Sequence, residues 1–107
     1  NLDNLTIIVD YNKIQSLGYV KEVINLEPLK EKFKSFGCHV LDINGHSILQ
    51  LRKAFNNKIQ NKPKVIIANT IKGKGVSFME NNNLWHYTPP DKFQLKKALI
   101  EINKRYA

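Results

Sequence analysis

Val9–Gly18 reads VDYNKIQSLG, and an apolar run that starts at Leu5 leads into it and stops in a cluster of polar, turn-forming residues. Leu5, Ile7, Ile8 and Val9 suit a strand buried on both faces, as in parallel α/β sheets, where ligands sit just beyond the carboxyl ends of the strands. Asp10 and Asn12 then fall where chemistry would take place. Asn12 offers a neutral amide oxygen, and the Ile14 backbone carbonyl can face the same way if the chain turns back. Both are hard oxygens of the kind magnesium accepts beside a carboxylate, waters and substrate phosphates. Asx residues after a strand more often form turns, and residue chemistry alone leaves both uses open.

Downstream, Leu26, Leu29, Phe33 and Phe36 recur at helical spacing, with Asn25 or Glu27 as the cap, Pro28 in the first turn and Gly37 as the stop. Cys38–Ile43 reads as a strand closed by the Asn44-Gly45 turn. Ser47 then caps a second helix faced by Ile48, Leu51, Phe55 and Ile59. Lys64–Asn69, KVIIAN, is the most strand-like segment of the chain. Thr70–Pro90 has no periodicity, and irregular loops longer than about 12–15 residues in compact domains are usually functional or disordered. Asp91 announces a last helix with Leu95, Leu99, Ile102 and Tyr106 on one face. Alternating strands and helices predict an α/β fold, a parallel sheet with flanking helices and right-handed crossovers.

A chain of 107 residues makes one domain with one modest core. Its 42% hydrophobic and 24% charged content is that of an ordered globular protein. The net charge of +8 would suit a nucleic-acid binder, but the 17 Lys and Arg are scattered from Lys13 to Arg105 and lack the interleaved aromatics of a stacking platform. Solvated helix faces account for them better, so no nucleic-acid partner is expected. Cys38 is the sole cysteine and forms no internal disulfide. With neither a secretory signal nor a run long enough for a membrane helix, a cytoplasmic, reducing location is expected. The chain lacks an initiator Met and enters a strand at once, so it reads as part of a longer protein.

Taken in order, VDYNKIQSLG, LEPLKEKFKSFG (26–37), HVLDINGH (39–46), VIIANTIKGKGVSF (65–78) and Trp85-His86 resemble the second half of the diphosphate-binding domain of transketolases. The likeness is strongest to the amino-terminal subunit of two-subunit members. It implies a partial thiamine diphosphate-binding fold of three α/β/α layers, with residues 1–107 as the carboxy-terminal half of that domain. In the family an asparagine side chain and the carbonyl two residues on hold the magnesium that bridges the cofactor's diphosphate. Those positions are Asn12 and Ile14. A histidine corresponding to His86 touches the diphosphate and the substrate's hydroxyl and carbonyl oxygens, with Trp85 as its hydrophobic anchor. Imidazole suits proton transfer near neutral pH, which makes His86 the catalytic candidate.

The resemblance further implies two-carbon ketol transfer between sugars or sugar phosphates, in an oligomer with a carboxy-terminal subunit. The Gly-Asp-Gly half-motif with its carboxylate ligand is missing from this chain, as is the glutamate that activates the cofactor's aminopyrimidine. Departures from the family pattern are Leu17, where many members have Asp, and Tyr87, where Gly commonly follows the histidine. Lys72, in Lys72-Gly-Lys-Gly75, is a candidate for a diphosphate contact. Glu80 receives no role. His39, Cys38 and His46 lack regular metal-ligand spacing. Rival readings are a deoxyxylulose phosphate synthase or 2-oxo-acid dehydrogenase type of enzyme with the same cofactor, or a non-catalytic basic module.

Overall fold

In chain order the elements are β1 (Thr6–Tyr11), β2 (Ile14–Gln15), β3 (Gly18–Tyr19), α1 (Val20–Val23), α2 (Leu29–Ser35), β4 (His39–Asn44), α3 (Ile48–Asn56), β5 (Lys64–Asn69), a 3-10 turn (Asn83–His86) and α4 (Lys92–Tyr106). They belong to a computed structural model that describes residues 1–106, with only the backbone described for 105 and 106. Contacts gather into two compact units. One comprises residues 1–12 and 24–70, the other residues 13–23 and the chain from Ile71 onward.

The first unit is a three-stranded parallel sheet in the order β1-β5-β4, with Val9 beside Ile67 and Ile67 beside Asp42. KVIIAN takes the centre because a strand covered on both faces needs an unbroken apolar run. Side chains alternate across a strand, so Val65 and Ile67 share a face. There they pack with Tyr11, Ile7, Val9, Val40, Cys38 and, from α2, Leu29 and Phe33. Lys64, Ile66 and Ala68 take the opposite face. Lys64 identifies the cover there, since its ammonium donates to the carbonyls of Ala54, Phe55 and Asn57 at 3.0, 2.9 and 3.0 Å. It thus occupies the carbonyl end of α3, where orphaned acceptors and the helix dipole favour a cation. The parallel sheet with flanking helices is the expected fold class.

Several apolar residues lie outside the expected core. β1 is an edge strand, and Ile8 on it is 52% exposed, not buried on both faces, because α3 lies over β4. Phe36 falls beyond the end of α2 and is exposed, since Gly37 with φ +81° follows and stops the helix after two turns. Ile48 and Phe55 point outward from α3 while the small Ala54 faces the sheet, and Ile59 lies past the helix end at Asn56. Ser47 caps α3 as expected, its hydroxyl accepting from the Gln50 N–H.

In the second unit, β2 pairs antiparallel with β3 as a hairpin, followed directly by α1. Strands of two residues show no period, so the pattern could not reveal them. Asp91 and Gln94 cap α4 reciprocally, each side chain accepting from the other's N–H at 2.8 and 2.9 Å. Among the described side chains of that helix Ala98 is the buried one, whereas Leu95 and Leu99 are about half exposed. The Tyr106 side chain lies outside the described residues.

Candidate functional site

In the sheet unit a polar row lines the carboxyl ends of the strands, where parallel sheets bind ligands. Thr70 donates its hydroxyl to the Asp10 carboxylate. Asn69 donates its amide to Asp42 Oδ1 at 2.5 Å and to the Ile43 carbonyl at 3.2 Å. The Gly45 N–H donates to the Asn69 carbonyl at 2.8 Å, and the backbones approach so closely that a Cβ on Gly45 would lie 2.5 Å from Thr70 Cγ2. Asn12 follows Tyr11, the last residue of β1, and is half-buried. Beside it in sequence, Tyr11 donates its hydroxyl to Glu27 Oε1 at 2.6 Å, and burial together with that carboxylate pushes its pKa up to about 12.

In the second unit, Ile14 opens the hairpin in register with Tyr19, and the Val20 N–H donates to the Lys13 carbonyl at 2.9 Å. The loop from Ile71 folds on itself. Gly73 has φ +74°, and a Cβ there would lie 2.5 Å from the Met79 carbonyl oxygen, so only glycine fits. Lys72 is half-buried, its carbonyl accepting from the Asn81 N–H at 3.0 Å. Glu80 accepts from the Gly75 N–H at 3.1 Å and pairs with Lys74 at 3.4 Å. It thus holds the glycine turn in shape, a role its place in an Asn-rich loop did not suggest.

His86 ends the 3-10 turn and is exposed. Half-buried Trp85 anchors that turn by donating its indole N–H to the Phe78 carbonyl at 2.9 Å and packing edge-on against the Phe78 ring. Tyr87 sets its ring edge-to-face with the imidazole, centroids 5.2 Å apart. Asn83 and Tyr87, on either side of His86, both donate to the Ser16 carbonyl at the hairpin turn. These side-chain to backbone links were not legible in the pattern. The only signal was the bulky Tyr87 in place of the glycine common in the resembled family.

What Asn12 and Ile14 offer is an amide oxygen and a backbone carbonyl, a donor set that fits magnesium in chemistry and is incomplete in number. Among the described residues no group of three or more His, Cys, Asp or Glu is placed to hold a metal. Cys38 packs against the core of the sheet unit, and His39 Nε2 is buried without a partner among the described residues. No helix among the described residues is long and apolar enough to cross a membrane.

Residues 1–102 match the family described as transketolase, thiamine diphosphate binding domain. The chain is 41% identical, over 99% of its length, to the 6-deoxy-6-sulfo-D-fructose transketolase subunit SqwG of Clostridium sp. strain MSTE9, and covers 39% of that protein. It is 37% identical, over 97% of its length, to one of the apulose-4-phosphate transketolase subunits of Phocaeicola vulgatus, and covers 38% of it. Among solved structures, the transketolase of Campylobacter jejuni superposes with a TM-score of 0.87 at 36% identity, covering 95% of this chain and 16% of that one. The chain thus spans about two fifths of the length of these two subunits.

Proposed function

The chain belongs to the family of the transketolase thiamine diphosphate-binding domain, and from that membership we propose that it forms the carboxy-terminal half of such a domain in a two-subunit transketolase. The relatives named as transketolase subunits support a partner chain, here a carboxy-terminal subunit meeting this one in a cytoplasmic hetero-oligomer. Thiamine diphosphate, when bound, supplies the nucleophilic carbon for moving a two-carbon ketol unit between sugars or sugar phosphates. The Asn12 amide oxygen and the Ile14 carbonyl would hold the magnesium that accompanies its diphosphate. Two oxygens do not complete a magnesium site, so further ligands, a carboxylate among them, would join these two. His86 would hold a donor-sugar oxygen and move its proton.

The observation that carries this reading is the position of Asn12, immediately beyond the carboxyl end of a parallel strand in a chain matched to the family over residues 1–102. The test uses the complete protein that contains this chain, together with its partner subunit. Thiamine diphosphate should raise the melting temperature saturably and only with magnesium present. Asn12→Ala should weaken that response by at least about 10-fold, since even groups that merely orient a ligand cost about 10–100-fold in metal affinity. His86→Ala should lower ketol transfer by about 100-fold or more. No magnesium-dependent response in the unaltered protein would overturn the reading.

A further inference from the structure

The segment that carries Ile14 and the segment that carries His86 are pinned to each other at one atom. Ser16 lies two residues past Ile14 in the turn of the hairpin, and its carbonyl oxygen accepts two hydrogen bonds. One comes from Asn83 Nδ2 at 3.0 Å, three residues before His86, and the other from the hydroxyl of Tyr87, the residue after it. A carbonyl has two lone pairs, and here both are taken by the residues that flank the imidazole. Asn83 Oδ1 is buried and has no partner among the described residues. Rotating the amide to relieve it would set oxygen against the Ser16 oxygen, so the donor orientation is dictated by the carbonyl.

Tyr87 makes a second contact, its ring standing at 87° to the imidazole of His86. The side chain is 63% exposed, so burial of apolar area is not what fixes it; the hydroxyl bond and the ring contact are. A glycine at this position, the residue common in transketolases, could supply neither.

We propose that Tyr87 is a positioning residue for the ketol-transfer site. Through the Ser16 carbonyl it holds the hairpin that presents the Ile14 carbonyl to magnesium, and through its ring it restricts the imidazole of His86. The Ser16 carbonyl would then anchor the hairpin that serves the magnesium diphosphate, and the Tyr87 ring would restrain the imidazole that serves the donor sugar. This rests on the function proposed above and adds a residue to it.

The test again uses the complete protein with its partner, and Tyr87→Phe and Tyr87→Gly separate the two contacts. Phe keeps the ring and loses the hydroxyl. A single net hydrogen bond is worth about 3- to 10-fold in an equilibrium, so Tyr87→Phe should raise the half-saturating concentration of magnesium thiamine diphosphate by about that factor. Its KM for the donor sugar should be unchanged, and saturating cofactor should restore kcat. Tyr87→Gly should show the same weakening and retain a reduced kcat even at saturation, because His86 has also lost its ring contact. A merely structural tyrosine would lower the melting temperature and leave half-saturation alone. That result, or a Tyr87→Phe protein that binds cofactor like the unaltered one while Asn12→Ala does not, overturns the anchor alone. Absence of cofactor binding by the unaltered protein overturns the anchor and the proposed function together.

Discussion

In the sheet unit Val65, Ile66 and Ile67 are at most 2% exposed, and they lie side by side on the central strand. In the other unit the buried apolar residues among those described are Val76 and Ala98. Between Ile71 and Tyr87 the chain is shaped mainly by polar links: Glu80 on the Gly75 N–H, the indole of Trp85 on the Phe78 carbonyl, and Asn83 and Tyr87 on the Ser16 carbonyl. Apolar burial is non-directional and scales with area, whereas a hydrogen bond is directional and contributes only about 1 kcal/mol net. One unit therefore supplies stability and the other supplies geometry. The candidate residues Ile14 and His86 sit in the second.

That contrast breaks most readily at Ile66, which is fully buried at the middle of the sheet. Ile66→Ala should destabilise the protein by about 4 kcal/mol, near the upper part of the range for buried aliphatic truncations, as read by denaturant titration. A loss under about 1 kcal/mol, the scale of one hydrogen bond, would mean the sheet does not dominate stability. Gly73→Ala should cost less, about 2 kcal/mol, the scale of a strained backbone position. Its Cβ would meet the Met79 carbonyl carbon and oxygen at 2.6 and 2.5 Å, and neither atom belongs to a side chain that can swing away. Amide hydrogen exchange should show the damage confined to the loop around Met79, with the amides of β5 still protected. Loss of protection in β5 as well would remove the distinction between the units.

The same contrast explains what could be read in advance. KVIIAN was legible as a strand to the residue because a strand covered on both faces must be apolar throughout, and the caps at Ser47 and Asp91 were legible because their side chains bond within one turn. Phe36, Ile48, Phe55, Leu95 and Leu99 fit a helical period but lie outside the buried faces. Spacing gives a stripe; which part of it is covered depends on helix length and on the neighbour, neither of which is local. Lys64 opens that strand, and its buried ammonium answers carbonyls seven to ten residues earlier, which no strand pattern marks. At the candidate site, strand-end position and oxygen chemistry leave Asn12 and Ile14 open between a turn and a pair of ligands, and the resemblance, not any period, singles them out together with His86. The links from Asn83 and Tyr87 to Ser16 span 67 and 71 residues, and nothing local marks such a pairing.

Tyr11 sharpens the comparison from the sheet side, being a polar link placed inside the apolar unit. Tyr11→Phe should cost about 1 kcal/mol near neutral pH, the net worth of one hydrogen bond. It should also change the alkaline limb of the stability curve. The phenol's pKa rises from 10.0 to about 12 in the folded chain, first through burial and then through the Glu27 carboxylate. A group whose pKa is raised by folding contributes its stability below the unfolded value and loses it as pH climbs through the folded one. The unaltered protein should therefore lose stability between about pH 10 and 12, and Tyr11→Phe should flatten that interval. An unchanged alkaline limb in the variant would show that the hydroxyl is not what titrates.

The smallest effect belongs to Ser77 and Glu101, in the loop unit, and it runs in the opposite direction with pH. The Ser77 N–H donates to Glu101 Oε2 at 2.5 Å and the Ser77 hydroxyl to Oε1 at 2.8 Å, and these bonds, the backbone one foremost, hold the carboxyl below its ordinary value of 4.5. A carboxylate with a depressed folded pKa contributes stability above the unfolded value and loses it as pH falls through the folded one. Ser77→Ala removes the hydroxyl and keeps the stronger backbone bond, so its acid limb should move only slightly toward neutral pH. Glu101→Gln removes the titrating group and should abolish this part of the acid limb altogether. If Ser77→Ala shifted the limb as far as Glu101→Gln does, the backbone amide would not be the main donor, and the loop's geometry would depend on its side chains more than on its main chain.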